Sequence, residues 1–94
     1  MTNEDLVALL QEDLKNERKH LAAYTQFAVQ IRGLHRNELR EFCEKQAADE
    51  LLHVTQFSEL IVHLGGVPGT DVNEYPADLK CPGAIMKAIV LMED

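Results

Sequence analysis

Between Glu4 and Leu64 one residue, Gly33, can break a helix, and no proline interrupts the stretch. The simplest structure for such a run is two long helices meeting at a tight turn. The first is expected to start after Thr2 or Asn3, either of which can cap it, with Glu4 and Asp5 in the first turn. It runs to about Arg32 or Leu34, with Gly33 marking the stop. The second is expected to be capped by Asn37, with Glu38 and Glu41 in its opening turn, and to reach Leu64, where Gly65-Gly66-Val67-Pro68-Gly69 ends it.

Residues 65–83 hold all three prolines and four of the five glycines, which predicts a long connection. A connection of that length suits a crossover between parallel or distant helices better than a hairpin. A third helix is expected from Gly83 or Ala84 onward, and it stops within an apolar pattern without a C-cap, as a cut helix would. No segment alternates in the manner of a strand. The expected fold is all-α, with residues 1–94 forming a single domain. Two long helices and a short third one cannot bury two apolar stripes unaided, so self-association, at least to a dimer, or a missing partner segment is expected.

Both long helices carry an acid where a hydrophobic residue belongs. The first has an apolar stripe of Leu6, Leu10, Leu14, Leu21, Tyr24, Ala28 and Ile31, and Glu17 stands at its centre, within about 60° of every member. In the second, Leu39, Cys43, Val54, Phe57, Ile61 and Leu64 all point within roughly 40° of Glu50. His53 follows one turn later on the same side. Folding the helices antiparallel about the turn leaves Glu17 and Glu50 at heights that differ by only about 5 Å.

A buried, ionised carboxylate is costly unless a positive partner meets it. A metal ion is one such partner, and Glu-x-x-His is a ligand pair of carboxylate-bridged metal sites in helical bundles. Carboxylates with an imidazole, and no thiolate, suit iron or manganese better than structural zinc. The other partner is a Lys or Arg of a facing helix, which would make the chain a dimerising interaction module without catalysis. Glu93, on the face of Met86, Ile89 and Val90, is a candidate third inward carboxylate.

Further polar residues carry weaker signals. Glu17-Arg18-Lys19-His20 repeats the Glu-x-x-His spacing, but His20 falls about 60° off the stripe toward charged residues; it reads as a histidine at the surface or just behind the ligands, with ligation the lesser alternative. Asp13 and Asp49 sit where they could guide cations to the site, although most acids so placed face solvent. His63 points away from Glu50, and His35 lies in the turn. Cys43 and Cys81 are too few and too far apart for a zinc motif; both are expected as thiols, Cys43 as a small buried residue.

The net charge of −7 argues against a nucleic-acid or anionic-membrane partner. No apolar run is long enough to span a membrane, and the N-terminus has no signal-peptide pattern, so a cytoplasmic protein is expected.

Glu17, Tyr24 one heptad later, Glu50-x-x-His53, the Gly65–Pro68 stop and Glu93 together resemble the bacterioferritin branch of the ferritin-like di-iron proteins over essentially the whole chain. The resemblance implies a ferritin-like helical bundle in which Glu17 is the terminal carboxylate of one iron and Glu50 a bridging carboxylate. By the same resemblance His53 is the imidazole ligand, Glu93 the second bridging carboxylate, and Tyr24 a tyrosine close to the diiron centre. It further implies a ferroxidase, which oxidises Fe(II) to Fe(III) with dioxygen or peroxide in iron storage or detoxification. A diiron oxygenase or peroxide-reducing enzyme is a third reading, though no rubredoxin-like Cys pair is present.

The sequence departs from the family at two places. A fourth helix with a second Glu-x-x-His is missing, so either the chain is the amino-terminal part of a longer one or two copies pool their ligands. The family's haem-binding methionine, directly after the second-helix glutamate, is replaced by Leu51, which has no sulfur for iron. No haem is expected by that route.

Overall fold

The computed structural model describes residues 2–77, 79 and 81–93. These form three helices, α1 (Asn3–Gln30), α2 (Arg36–His63) and α3 (Pro82–Glu93), and no strand. The all-α expectation holds.

Of the two caps open to α1, the structure uses Thr2. Its hydroxyl accepts from the Asp5 amide at 3.1 Å, while the Thr2 amide donates to the Asp5 carboxylate at 3.1 Å, a reciprocal capping box. Helix α1 ends earlier than expected. Ile31 is already extended, with φ −62° and ψ 137°, and is only 3% exposed. Burying this side chain in the core turns the chain before Gly33, which takes φ +110°.

Asn37 does not cap α2. His35 is the capping residue and makes no side-chain cap hydrogen bond. The turn itself starts the helix, since the Arg36 amide donates to the Gly33 carbonyl at 3.3 Å and the Leu39 amide to that of His35 at 3.1 Å. At the far end, Gly66 N–H donates to Ile61 O at 2.9 Å and Gly65 N–H to Val62 O at 3.0 Å, a Schellman closure. Gly65 adopts φ +90° there, with nothing within 4 Å of the position a Cβ would take. Gly65→Ala is therefore expected to lower stability by about 1–2 kcal/mol through backbone strain alone, read as a shift in the urea midpoint.

The long connection runs back along α1. Gln11 donates to Val67 O at 2.7 Å and accepts from Gly69 N–H at 2.8 Å. Arg18 donates to Gly69 O at 3.1 Å, and Gln26 donates to Ala77 O and accepts from the Tyr75 hydroxyl, each at 2.9 Å. These contacts climb α1 from its start toward its end. They deliver Pro82 to the α1–α2 turn, where its ring packs against Gly33. Helix α3 consequently runs parallel to α2 and antiparallel to α1, as a crossover requires.

The core has two parts. Leu10, Leu14, Val54 and Ile61 fill one end of the α1–α2 pair. At the other end Ala23, Tyr24, Phe27, Ala28, Ile31, Cys43 and Ala47 meet Ile85, Ala88 and Ile89 of α3. Burial raises the pKa of the Cys43 thiol. Helix α3 is rotated from the expected Met86–Ile89–Val90 face: Met86 is 37% and Val90 59% exposed, while Ile85, Ala88 and Ile89 are buried. Apolar residues surround this short helix, so periodicity alone did not fix its inward face. No helix among the described residues is long and apolar enough to cross a membrane.

Candidate metal centre

The antiparallel pairing of α1 and α2 sets Glu17 opposite Glu50, at the junction between the two core clusters. Glu50 is 7% exposed, and His53 follows three residues on. One ligand atom each from Glu17, Glu50 and His53 lies within 4.8 Å of the others. His53 Nδ1 is 3.6 Å from Glu17 Oε2 and 3.4 Å from Glu50 Oε2. Glu17 and Glu50 are screened by the helices, whereas the His53 side chain is 46% exposed.

Glu17 Oε2 and Glu50 Oε2 are buried and have no hydrogen-bond partner among the described residues. Orphaned acceptors of this kind are uncommon in folded proteins and call for an explanation. Burial, followed by the neighbouring Glu17 carboxylate, pushes the Glu50 pKa up to about 7; His53 opposes the shift. Neither glutamate pairs with Lys or Arg among the described residues, and their ionic neighbours are histidines. The donor set has the composition of a carboxylate–imidazole metal site, and a cation between these atoms would satisfy both orphaned oxygens.

Of the places expected for His20, the structure excludes the surface: it is 7% exposed, because the end of α3 covers that side of α1. Its Nε2 lies 3.2 Å from the Met92 carbonyl. Its Nδ1 is 3.9 Å from both Glu17 Oε2 and Glu50 Oε1. The first helix's own Glu-x-x-His spacing carried this signal in the sequence, but the charged neighbours Arg18 and Lys19 pointed the other way.

Tyr24 lies one heptad from Glu17 and is 1% exposed, packed in the core cluster that contains Ala47 and Cys43. Glu93 is the last residue of α3, and its side chain lies outside the described residues. His63 and His35 are exposed, the latter 3.8 Å from Glu38. Asp13 and Asp49 face solvent, and Cys81 is an exposed free thiol.

Residues 7–94 match the ferritin-like domain family. The chain belongs to that family. This ferritin-like chain is also similar to a crystal structure of ferritin-like, diiron-carboxylate proteins from Bacillus anthracis str. Ames, with 26% identity and a TM-score of 0.88. The match covers 97% of this chain and 65% of the other. Among curated proteins, none matches.

Proposed function

We propose that this ferritin-like chain binds iron through Glu17, Glu50 and His53 and oxidises Fe(II) to Fe(III), in iron storage or detoxification. The observation that carries this reading is the convergence of two buried, unsatisfied carboxylate oxygens with an imidazole nitrogen. The description of the Bacillus anthracis structure as diiron-carboxylate supports a paired iron site. So does the spaced set Glu17, Tyr24, Glu50, His53 and Glu93, which resembles bacterioferritin.

Anionic carboxylates favour the more positive ion, so Glu17 and Glu50 stabilise the ferric product relative to the ferrous substrate. Each of two Fe(II) ions gives up one electron, and dioxygen or peroxide takes the pair. Tyr24 is assigned to the surroundings of the iron and Glu93 to its second bridging carboxylate. Leu51 leaves haem no sulfur ligand at the family's position.

One chain offers too few ligands for two irons, and a second copy is proposed to supply the rest, at least as a homodimer. Half-exposed His53 marks the open side of the site. Leu51, Leu52 and Val62 leave apolar surface on α2 for such a contact. The proposed setting is the cytoplasm, with no nucleic acid or membrane partner.

Anaerobic loading with Fe(II), followed by size-exclusion chromatography with light scattering and metal analysis, tests the proposal. The expected result is about one iron per chain in a dimer, with a ferric absorbance band developing on exposure to air. No retained iron would overturn it.

A further inference from the structure

Resting on the metal-binding reading above, we infer that His20 is a further metal ligand of this centre, binding through Nδ1. Glu17 and His20 would then form a second Glu-x-x-His ligand set on α1, facing the Glu50 and His53 set on α2.

Three observations carry the assignment. First, the tautomer is fixed by chemistry. A carbonyl oxygen can only accept, so His20 Nε2, 3.2 Å from the Met92 carbonyl, must carry the proton and donate it. Neutral His20 therefore has its lone pair on Nδ1. A metal-binding histidine is commonly held this way, with its second ring nitrogen donating to a carbonyl or carboxylate.

Second, that lone pair faces the carboxylates. Nδ1 is 3.9 Å from Glu17 Oε2 and 3.9 Å from Glu50 Oε1. A hydrogen bond does not span that distance, so His20 does not satisfy either glutamate by itself. With metal–ligand bonds of about 2.0–2.2 Å, donor atoms around one ion stand roughly 3–4 Å apart, the separation found here.

Third, Glu50 presents different oxygens to the two imidazoles: Oε1 is the one near His20, and Oε2 the one near His53. A carboxylate that turns one oxygen to each side is arranged to bridge. His20 thus places an imidazole on the side of Glu50 away from His53. Its side chain is 9% exposed against 46% for His53, so it is the more sheltered of the two.

The test uses the whole chain labelled with ¹⁵N-histidine and titrated with Zn(II), a diamagnetic probe, with Fe(II) affinity measured anaerobically in parallel. The wild type is expected to show two imidazoles whose Nδ1 resonances move to metal-bound positions. His20→Gln should remove one of them, leave that of His53, and weaken Fe(II) binding by about 100-fold, the upper end of what losing even an outer-shell partner costs. A single metal-shifted imidazole in the wild type overturns the assignment, whatever the folding of the variant. So does a variant that keeps full Fe(II) affinity. An Nδ1 signal showing His20 protonated and unligated in the metal-loaded protein would make it a counter-ion and also overturn the assignment. Failure of the wild type to bind either metal would remove the functional reading itself, an outcome distinct from binding through His53 alone.

Discussion

Glu50→Gln should end metal binding and, at the same time, make the metal-free protein more stable at alkaline pH. The Glu50 carboxyl is held near a pKa of about 7 in the folded chain, against 4.5 for the unperturbed group. Between these values the folded protein keeps a proton that the unfolded chain has released. Stability therefore falls as pH rises through this window, because the native state binds more protons than the unfolded one. Below about pH 4.5 the group is neutral in both states and carries no penalty.

A shift of this size corresponds to about 3 kcal/mol at most, and water reaching the site from the half-exposed His53 side reduces it to about 2 kcal/mol. The glutamine amide is neutral at every pH and can donate to the orphaned Oε2 of Glu17. The stability difference between variant and wild type should consequently grow by about 2 kcal/mol from pH 4.5 to pH 8, measured by urea unfolding in the presence of a chelator. A difference that stays flat over this range would show that Glu50 is not a destabilising buried acid. Saturating Fe(II) under anaerobic conditions should reverse the wild type's preference, since binding requires the deprotonated carboxylate and stabilises only the folded state. The variant should show no such response.

The two long helices and the convergence of Glu17, Glu50 and His53 were legible because each depends on local periodicity plus one antiparallel pairing. A glutamate at the centre of an apolar stripe conflicts with helix patterning, and such conflicts gather at functional sites. What periodicity could not supply was the third helix's contribution. Ala23 and Phe27 of α1 are fully buried although neither belongs to the expected stripe, because α3 covers a second face of α1. The same covering hides His20, whose place next to charged Arg18 and Lys19 made it look like a surface residue. Helix α3 itself is short and apolar on most sides, so its inward face was set by packing. The failure of Asn37 as a cap has a simpler origin: the Gly33 carbonyl begins the turn before Asn37 is reached.

Ile85→Ala should separate the role of α3 from that of the α1–α2 pair. Ile85 has no exposed surface and packs with Ala23, Tyr24, Phe27, Ala28 and Cys43 in one cluster. Removing a buried aliphatic side chain of this size costs about 2–5 kcal/mol, from lost transfer energy and the cavity left behind. Ile85 is the most deeply buried residue of α3 and, with Ala88 and Ile89, anchors the helix to α1 and α2. The loss should therefore appear as local undocking as well as lower global stability. Hydrogen exchange of the α3 amides should speed up well before that of the α1 amides around Leu14, which lie in the other core cluster. Val90→Ala, on the same helix but 59% exposed, is the matched control and should change stability by less than about 0.5 kcal/mol. Undocking α3 would also withdraw the Met92 carbonyl that orients His20, so Ile85→Ala should weaken metal binding while Val90→Ala leaves it intact. Equal effects of the two substitutions would mean that α3 does not rest on Ile85. Full metal affinity in a chain with α3 undocked would mean that α1 and α2 hold the ion without it.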